Sequence, residues 1–402
     1  MKKESFFLAL FFCFIIFCLY ADDDIEEPVK SSRFKNRTVE IGLINIEANF
    51  SNNFLSASDI FRETMIVDID NLQQGFRMNL GVNVYPLFFN YNKDDIWGAG
   101  FSLGVDAVGI INLSGKMLSF NEADGDKSDI NGAAFVEARY NGFFHIEKIK
   151  IIIRPALYYP LVYITPDISY TYKNTAEGTI LDIGYKIRVY TAFPFEESFT
   201  LTAFPGIDFH IGAEYPLSEI LGLKQKHSLL DFDVGLDMIN LPFVPAFMNN
   251  YMEVSGRLGS GKPMDFLKDT MDIFSYNSED TVYGVQRLSV LRPFKFISWA
   301  RWRPLKTASI NFIPSFGFAL SPFYPQPFSL EAGIKTLLDL RNVFIVSFGI
   351  GYHDRLWKNE VDLVLNFKVF ELDLGFELQS ESFTKSWTGA GFGVDFGMKF
   401  GW

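Results

Sequence analysis

The chain has 402 residues, 48% of them hydrophobic and 17% aromatic, with 44 Phe and a formal charge of −12. That balance supplies a large apolar surface but no basic face to neutralise phosphates, which argues against a nucleic-acid partner. Outside the N-terminus no apolar run approaches the roughly 20 residues of a membrane helix, so the apolar residues are dispersed by alternation.

The N-terminus reads as an export signal. Lys2 and Lys3 precede an apolar stretch from Phe6 to Tyr20, then Ala21 and the acidic run Asp22, Asp23, Asp24. A basic start, an apolar middle and a small residue at the cut are the parts of a cleaved leader. We assign residues 1–21 to the signal peptide, 22–36 to a polar N-terminal segment and 37–402 to one domain. Both cysteines, Cys13 and Cys18, lie in the leader. The mature chain then has no disulfide, thiolate metal site or cysteine nucleophile.

Residues 58–74 read weakly as a helix capped at Ser58. Strict two-residue alternation follows. In 76–84, Phe76, Met78, Leu80, Val82 and Val84 interleave with Arg77, Asn79, Gly81 and Asn83. In 97–107, Trp97, Phe101, Leu103 and Val105 interleave with Gly98, Gly100, Gly104 and Asp106. Successive strand side chains face opposite ways, so each segment has one apolar face and one polar or glycine face. The pattern returns at 181–189, where Lys186 and Arg188 are on the polar row, and at 201–212, where Asp208 and His210 are. It returns again at 230–238, with Asp231, Asp233 and Asp237. Further such segments run through 310–320, 328–336, 344–352 and 361–378.

Long loops are expected at 51–73, 114–131, 163–178, 214–227 and 259–280, and tight turns at 145–148, 241–247 and 291–294. The apolar parity shifts within 281–303 and 360–379, which marks a hairpin or a bulge. Aromatic residues gather at segment ends, as in Tyr85, Phe88, Phe89 and Tyr91; Tyr158, Tyr159 and Tyr163; and Phe323, Tyr324 and Phe328. Such clusters suit the girdles of a membrane barrel. Lys295, Trp299, Arg301, Trp302 and Arg303 suit contact with lipid headgroups.

Motifs for chemistry are poor. Gly256 to Pro263 imitates a phosphate loop but has Pro263 where a hydroxyl is needed. Asp124 to Asp129 spaces oxygens like a calcium loop but lacks its later Gly and Glu. His145, His210, His227 and His353 form no metal pair, and no nucleophile elbow is present. No enzyme activity, cofactor or metal is expected.

The last strand is the cleanest. Ala390, Phe392, Val394, Phe396, Met398, Phe400 and Trp402 alternate with Gly391, Gly393, Asp395, Gly397, Lys399 and Gly401. A final alternating strand ending on an aromatic residue resembles the sorting signal of bacterial outer-membrane barrels, carried here by Phe396, Met398, Phe400 and Trp402. That resemblance implies an outer-membrane location, lipid around the barrel and a barrel assembly machinery as partner. In size the chain also resembles the long-chain fatty-acid transporter group. Segments of about 10–15 residues exceed the usual soluble strand.

These readings converge on an all-β fold, a transmembrane antiparallel up-and-down barrel of about 14–16 strands. Its expected lumen row is Arg77, Asn79, Asn83, Asp106, Lys186, Arg188, Asp208, His210, Asp231, Asp233 and Asp237. Basic against acidic members of that row would make a transverse field across a pore, or would brace a closed barrel as internal ion pairs. The inward glycines leave room for water or for a folded-in loop. The function expected is passage of small solutes. The alternatives are a plugged transporter for hydrophobic ligands, a surface barrel that binds partners through its outer loops, and a soluble periplasmic β-protein.

Overall fold

The computed structural model describes residues 38–402 except 54–74, 94–95, 120, 177, 194–201, 222–230, 260–276, 305–308, 325, 341–342, 368 and 389–390. The leader, the 22–36 segment and the expected helix at 58–74 lie outside the described residues, as does His227.

Each of β1 (Val39–Asn52), β2 (Phe76–Lys93), β3 (Trp97–Leu113), β4 (Ala123–Ile146) and β5 (Ile149–Thr175) pairs antiparallel with the next. So do β12 (Ser309–Leu320), β13 (Phe328–Leu340), β14 (Phe344–His353), β15 (Leu356–Asn366), β16 (Phe370–Ser380) and β17 (Gly391–Gly401). β17 then closes on β1, from Glu40 opposite Gly401 to Ser51 opposite Gly391.

Between these runs lie β6 (Gly178–Thr191), β7 (Gly206–Tyr215), β8 (Phe232–Val244), β9 (Ala246–Gly259), β10 (Asn277–Val290) and β11 (Phe294–Trp302). β8 with β9 and β10 with β11 are the halves of two long strands, and β6 and β7, separated by residues 192–205, take the outer and inner halves of a third position. The outer halves pair in the order β5, β6, β9, β10. The inner halves pair in the order β5, β7, β8, β11, β12. With each broken strand taken once, the sheet is a closed 14-strand antiparallel barrel.

The breaks have a cause in the sequence. Pro205 precedes β7, Pro245 separates β8 from β9, and Pro293 precedes β11. Proline has no N–H for the ladder. On the neighbouring β5 the register slips between Ala134 opposite Val162 and Phe135 opposite Pro160. Four prolines thus crease one side of the wall at a common level.

The crease corrects two expected turns. Residues 241–247 and 291–294 are not hairpins but bends within continuing strands. The short turn at 145–148 is present, between Ile146 and Ile149, with Glu147 at φ 55°. The parity shift in 360–379 is the tight hairpin between Asn366 and Phe370. Two expected loops are largely strand instead: β4 starts at Ala123, and β5 runs on to Thr175. With 24 and 27 residues, these strands far exceed the 11 of β16 and β17. A membrane crossing needs about 9–11 residues, so this side of the barrel stands beyond the membrane. Asp124 to Asp129 accordingly lies at the start of β4, where Lys173 pairs with Asp124.

The two faces are opposite in character. Phe101 and Leu103, Phe348 and Ile350, and Phe392, Val394 and Phe396 are exposed on the outer face. Continuous exposed rows of this kind suit lipid and not water. No helix among the described residues is long and apolar enough to cross a membrane.

Inside, several of the inward glycines are covered by aromatic rings. Gly98, Gly104, Gly206 and Gly235 lie under the rings of Phe143, Tyr85, Tyr158 and Trp299, laid flat along the wall. A Cβ on Gly235 would overlap the Trp299 ring. Gly235→Val should displace that indole and break its 2.8 Å bond to Asp237. The expected loss is about 1–3 kcal/mol from overpacking, read from urea unfolding of the lipid-embedded barrel. An unchanged midpoint would contradict this account of the glycine row.

Candidate functional site

The proline crease brings charged and aromatic side chains into the lumen. Arg292, in the bend before β11, reaches across to two strands. Its Nε and Nη2 donate to the two oxygens of Asp208 on β7, at 2.8 and 2.7 Å. Its Nη1 donates to Glu137 on β4. Glu137 also accepts from Tyr85 on β2 at 2.6 Å and from Arg139 at 3.2 Å. Two arginines and two carboxylates make the group neutral. The guanidinium of Arg292 stacks 4.9 Å from the ring centre of Tyr158.

Tyr158 closes the crease itself. Its hydroxyl donates to the Val290 carbonyl at 3.1 Å and accepts from the Ala246 N–H at 3.2 Å. Both are backbone groups left over where strands bend. Glu137, Arg139, Tyr158, Asp208 and Arg292 are each at most 4% exposed. Burying this much charge is tolerable only with the partners in place, so the group acts as a dry latch.

An aromatic layer lies against the latch. Phe135, Tyr158, Tyr190 and Met248 form one buried cluster with Phe323. Phe323 belongs to the turn between β12 and β13, and that turn folds inward. Its ring meets Tyr163 at 5.7 Å, and its carbonyl accepts from Asn131 Nδ2 at 2.9 Å. Tyr190 packs on Tyr251 at 5.6 Å. Tyr158, Tyr163 and Phe323 are therefore interior groups and not the girdle expected from their positions. The slip of register on β5 is why the parity misleads there.

Each expected lumen residue can now be placed. Arg77 bonds Glu381 at 3.0 Å at the outer rim, and Asn79 lines a cavity there. Asn83 is buried, opposite Glu47 and Asp106 in the ladder. Lys186 and Arg188 both hold Glu253 on the adjacent β9, at 3.0 and 2.6 Å. Asp208 belongs to the latch. His210 meets Asp237 at 3.0 Å. Asp231 and Asp233 are held by Arg303 at 3.0 and 2.6 Å. Opposite charges are thus joined pair by pair, and the transverse field of a pore constriction is not what they form. Neutralised pairs carry little field.

The same pairing continues toward the termini. Lys295 bonds Asp354, Lys335 bonds Glu360 and Asp362, and Lys399 bonds Glu371 and Asp373. Of the cluster expected at lipid headgroups, Lys295, Trp299 and Arg301 are buried. Trp302 alone keeps an outward place, stacked on Phe232 with ring centres 6.0 Å apart. Sequence reasoning missed Glu137, Arg139 and Arg292. Glu137 and Arg139 share the inward parity of β4, which was the available signal. Arg292 beside Pro293 reads as a turn.

These features define a membrane-spanning antiparallel β-barrel whose interior holds a neutral, buried ion-pair latch and an inward turn. The chain is similar in fold to the Pseudomonas putida toluene transporter TodX, with a TM-score of 0.52 and 10% identity over 94% of this chain and 93% of that one. It is also similar to a TodX deltaS2S3 mutant described as a monoaromatic hydrocarbon channel, with a TM-score of 0.50, 10% identity, and 95% of each chain covered. No family model and no curated protein matches the chain.

Proposed function

We propose that this chain is an outer-membrane channel for small hydrophobic solutes, held here in its shut state. It would be exported through the leader of residues 1–21 and folded into the outer membrane by the assembly machinery that reads Phe396, Met398, Phe400 and Trp402. The reading is one of passage without catalysis. The observation that carries it is the buried latch with its aromatic layer, held inside a lipid-facing barrel. Opening of the inward turn would bare the rings of Tyr163, Tyr190, Tyr251 and Phe323 to an apolar solute, whereas an ion would meet charges already paired among the described residues. The fold shared with a protein named as a toluene transporter points the same way.

Radiolabelled toluene is a suitable probe. Cells making the protein should take it up faster than cells without it. Phe323→Ala, which removes the ring from the inward turn, should raise the initial rate further. Equal uptake with and without the folded barrel would defeat the reading.

A further inference from the structure

The outer end of the lumen holds a cavity of about 610 Å³ whose floor includes Phe323 and Tyr324. One wall is built from two rungs of β2, β3 and β4. The register sets Arg77 beside Asn112 and Asn112 beside Asp129, then Asn79 beside Ile110 and Ile110 beside Asn131. Asn131 is committed to the Phe323 carbonyl. Asn79, Asn112 and Asp129 make no side-chain hydrogen bond among the described residues. Across the cavity, the Arg355 guanidinium lies 4.3 Å over the Tyr324 ring and donates to the Phe328 carbonyl at 3.0 Å.

Charge narrows what could sit there. Arg77 and Arg355 balance Asp129 and Glu381, so the lining favours neither an anion nor a cation. A hydrocarbon would strip water from Asn79, Asn112 and Asp129 and return no hydrogen bond. The complementary ligand is neutral and dense in both donors and acceptors. Each Asn amide offers two donors and one acceptor oxygen, and Asp129 accepts only. Such a set matches neighbouring hydroxyls on a ring. The Arg355–Tyr324 stack supplies a flat face for C–H groups.

We infer that this outer vestibule is a saccharide site, taking a pyranose unit of a short neutral oligosaccharide. The site lies on the outer side of the inward turn, and its lining sets these polar groups beside Ile110, Phe328 and Leu330. Saccharide binding and solute passage could both hold in one protein, with the vestibule facing the glycans of the cell's surroundings.

The test uses the full barrel in detergent, with maltotriose and lactose as probes and saturation-transfer NMR as the readout. Ring protons of at least one sugar should receive saturation. Asn79→Ala with Asn112→Ala should weaken binding by about tenfold, as loss of one or two net hydrogen bonds implies. Neither side chain bonds another among the described residues, so the double variant should keep the cold gel mobility of the folded barrel. Toluene should not displace the sugar. No transfer to either sugar, or transfer unchanged in the double variant, would overturn the assignment.

Discussion

Arg292→Ala is expected to lower the unfolding free energy of the barrel by about 3–5 kcal/mol, the scale for removing one partner of a buried ion pair. The size follows from what is left behind. Asp208 loses two hydrogen bonds and Glu137 loses one, while both stay buried. Removing the stranded charges should therefore recover part of the loss. Arg292→Ala combined with Glu137→Gln and Asp208→Asn should be more stable than Arg292→Ala alone, since amides are cheaper to bury than carboxylates. Urea unfolding in lipid vesicles, followed by tryptophan fluorescence, reads both effects. A single variant as stable as the parent would show that the latch does not brace the wall.

The second large effect is at the seam. Deletion of Phe400–Trp402 should abolish the folded barrel in the membrane. Trp402 accepts at its carbonyl from Thr38 N at 2.9 Å and Val39 N at 3.1 Å, and donates to the Val39 carbonyl at 3.0 Å. Gly401 donates to the Val369 carbonyl at 2.8 Å, and the Phe400 ring packs 5.3 Å from Phe370. Without these the end of the β1–β17 seam frays, leaving the backbone groups of Val39 to Ile41 without their partners on β17. A strand edge so exposed also invites aggregation. Cold gel electrophoresis separates folded from unfolded barrel. A truncated chain that migrates as the folded form would contradict the role given to the last strand.

Much of the wall was legible in the sequence, because alternation is a local property. The rows Trp97 to Val105 and Phe392 to Trp402 state which side meets lipid without reference to any other strand. The interior was less so. Tyr158 bonds to Val290, 132 positions away, and no spacing rule links them. An aromatic residue at the end of a strand suits a girdle and a plug equally, so Phe323 looked like the former. Prolines act as punctuation in a single sequence. Pro245 and Pro293 therefore read as turns, although the strands continue past them. Only the pairing of β9 with β6 and of β11 with β8 makes them a crease. The charges of the polar row were visible, but their partners were not. Asp208 could have faced Lys186 across a pore or Arg292 inside a plug, and that choice depends on strand order.

The two faces of the wall also sort the expectations about function. The exposed apolar rows remove the soluble periplasmic β-protein. Paired charges and an inward turn weigh against a water-filled general pore and favour the plugged alternative. A surface role for the outer rim stays compatible with passage, because Asn79, Asn112 and Asp129 of the vestibule take no part in the latch.

The most direct measurement is conductance across a planar bilayer. The parent barrel should insert and stay electrically silent, since latch and turn together close its lumen. Arg292→Ala combined with Phe323→Ala should give discrete single-channel steps. Steady open channels from the parent protein, or silence from the folded double variant, would contradict the claim that these two residues hold the barrel shut.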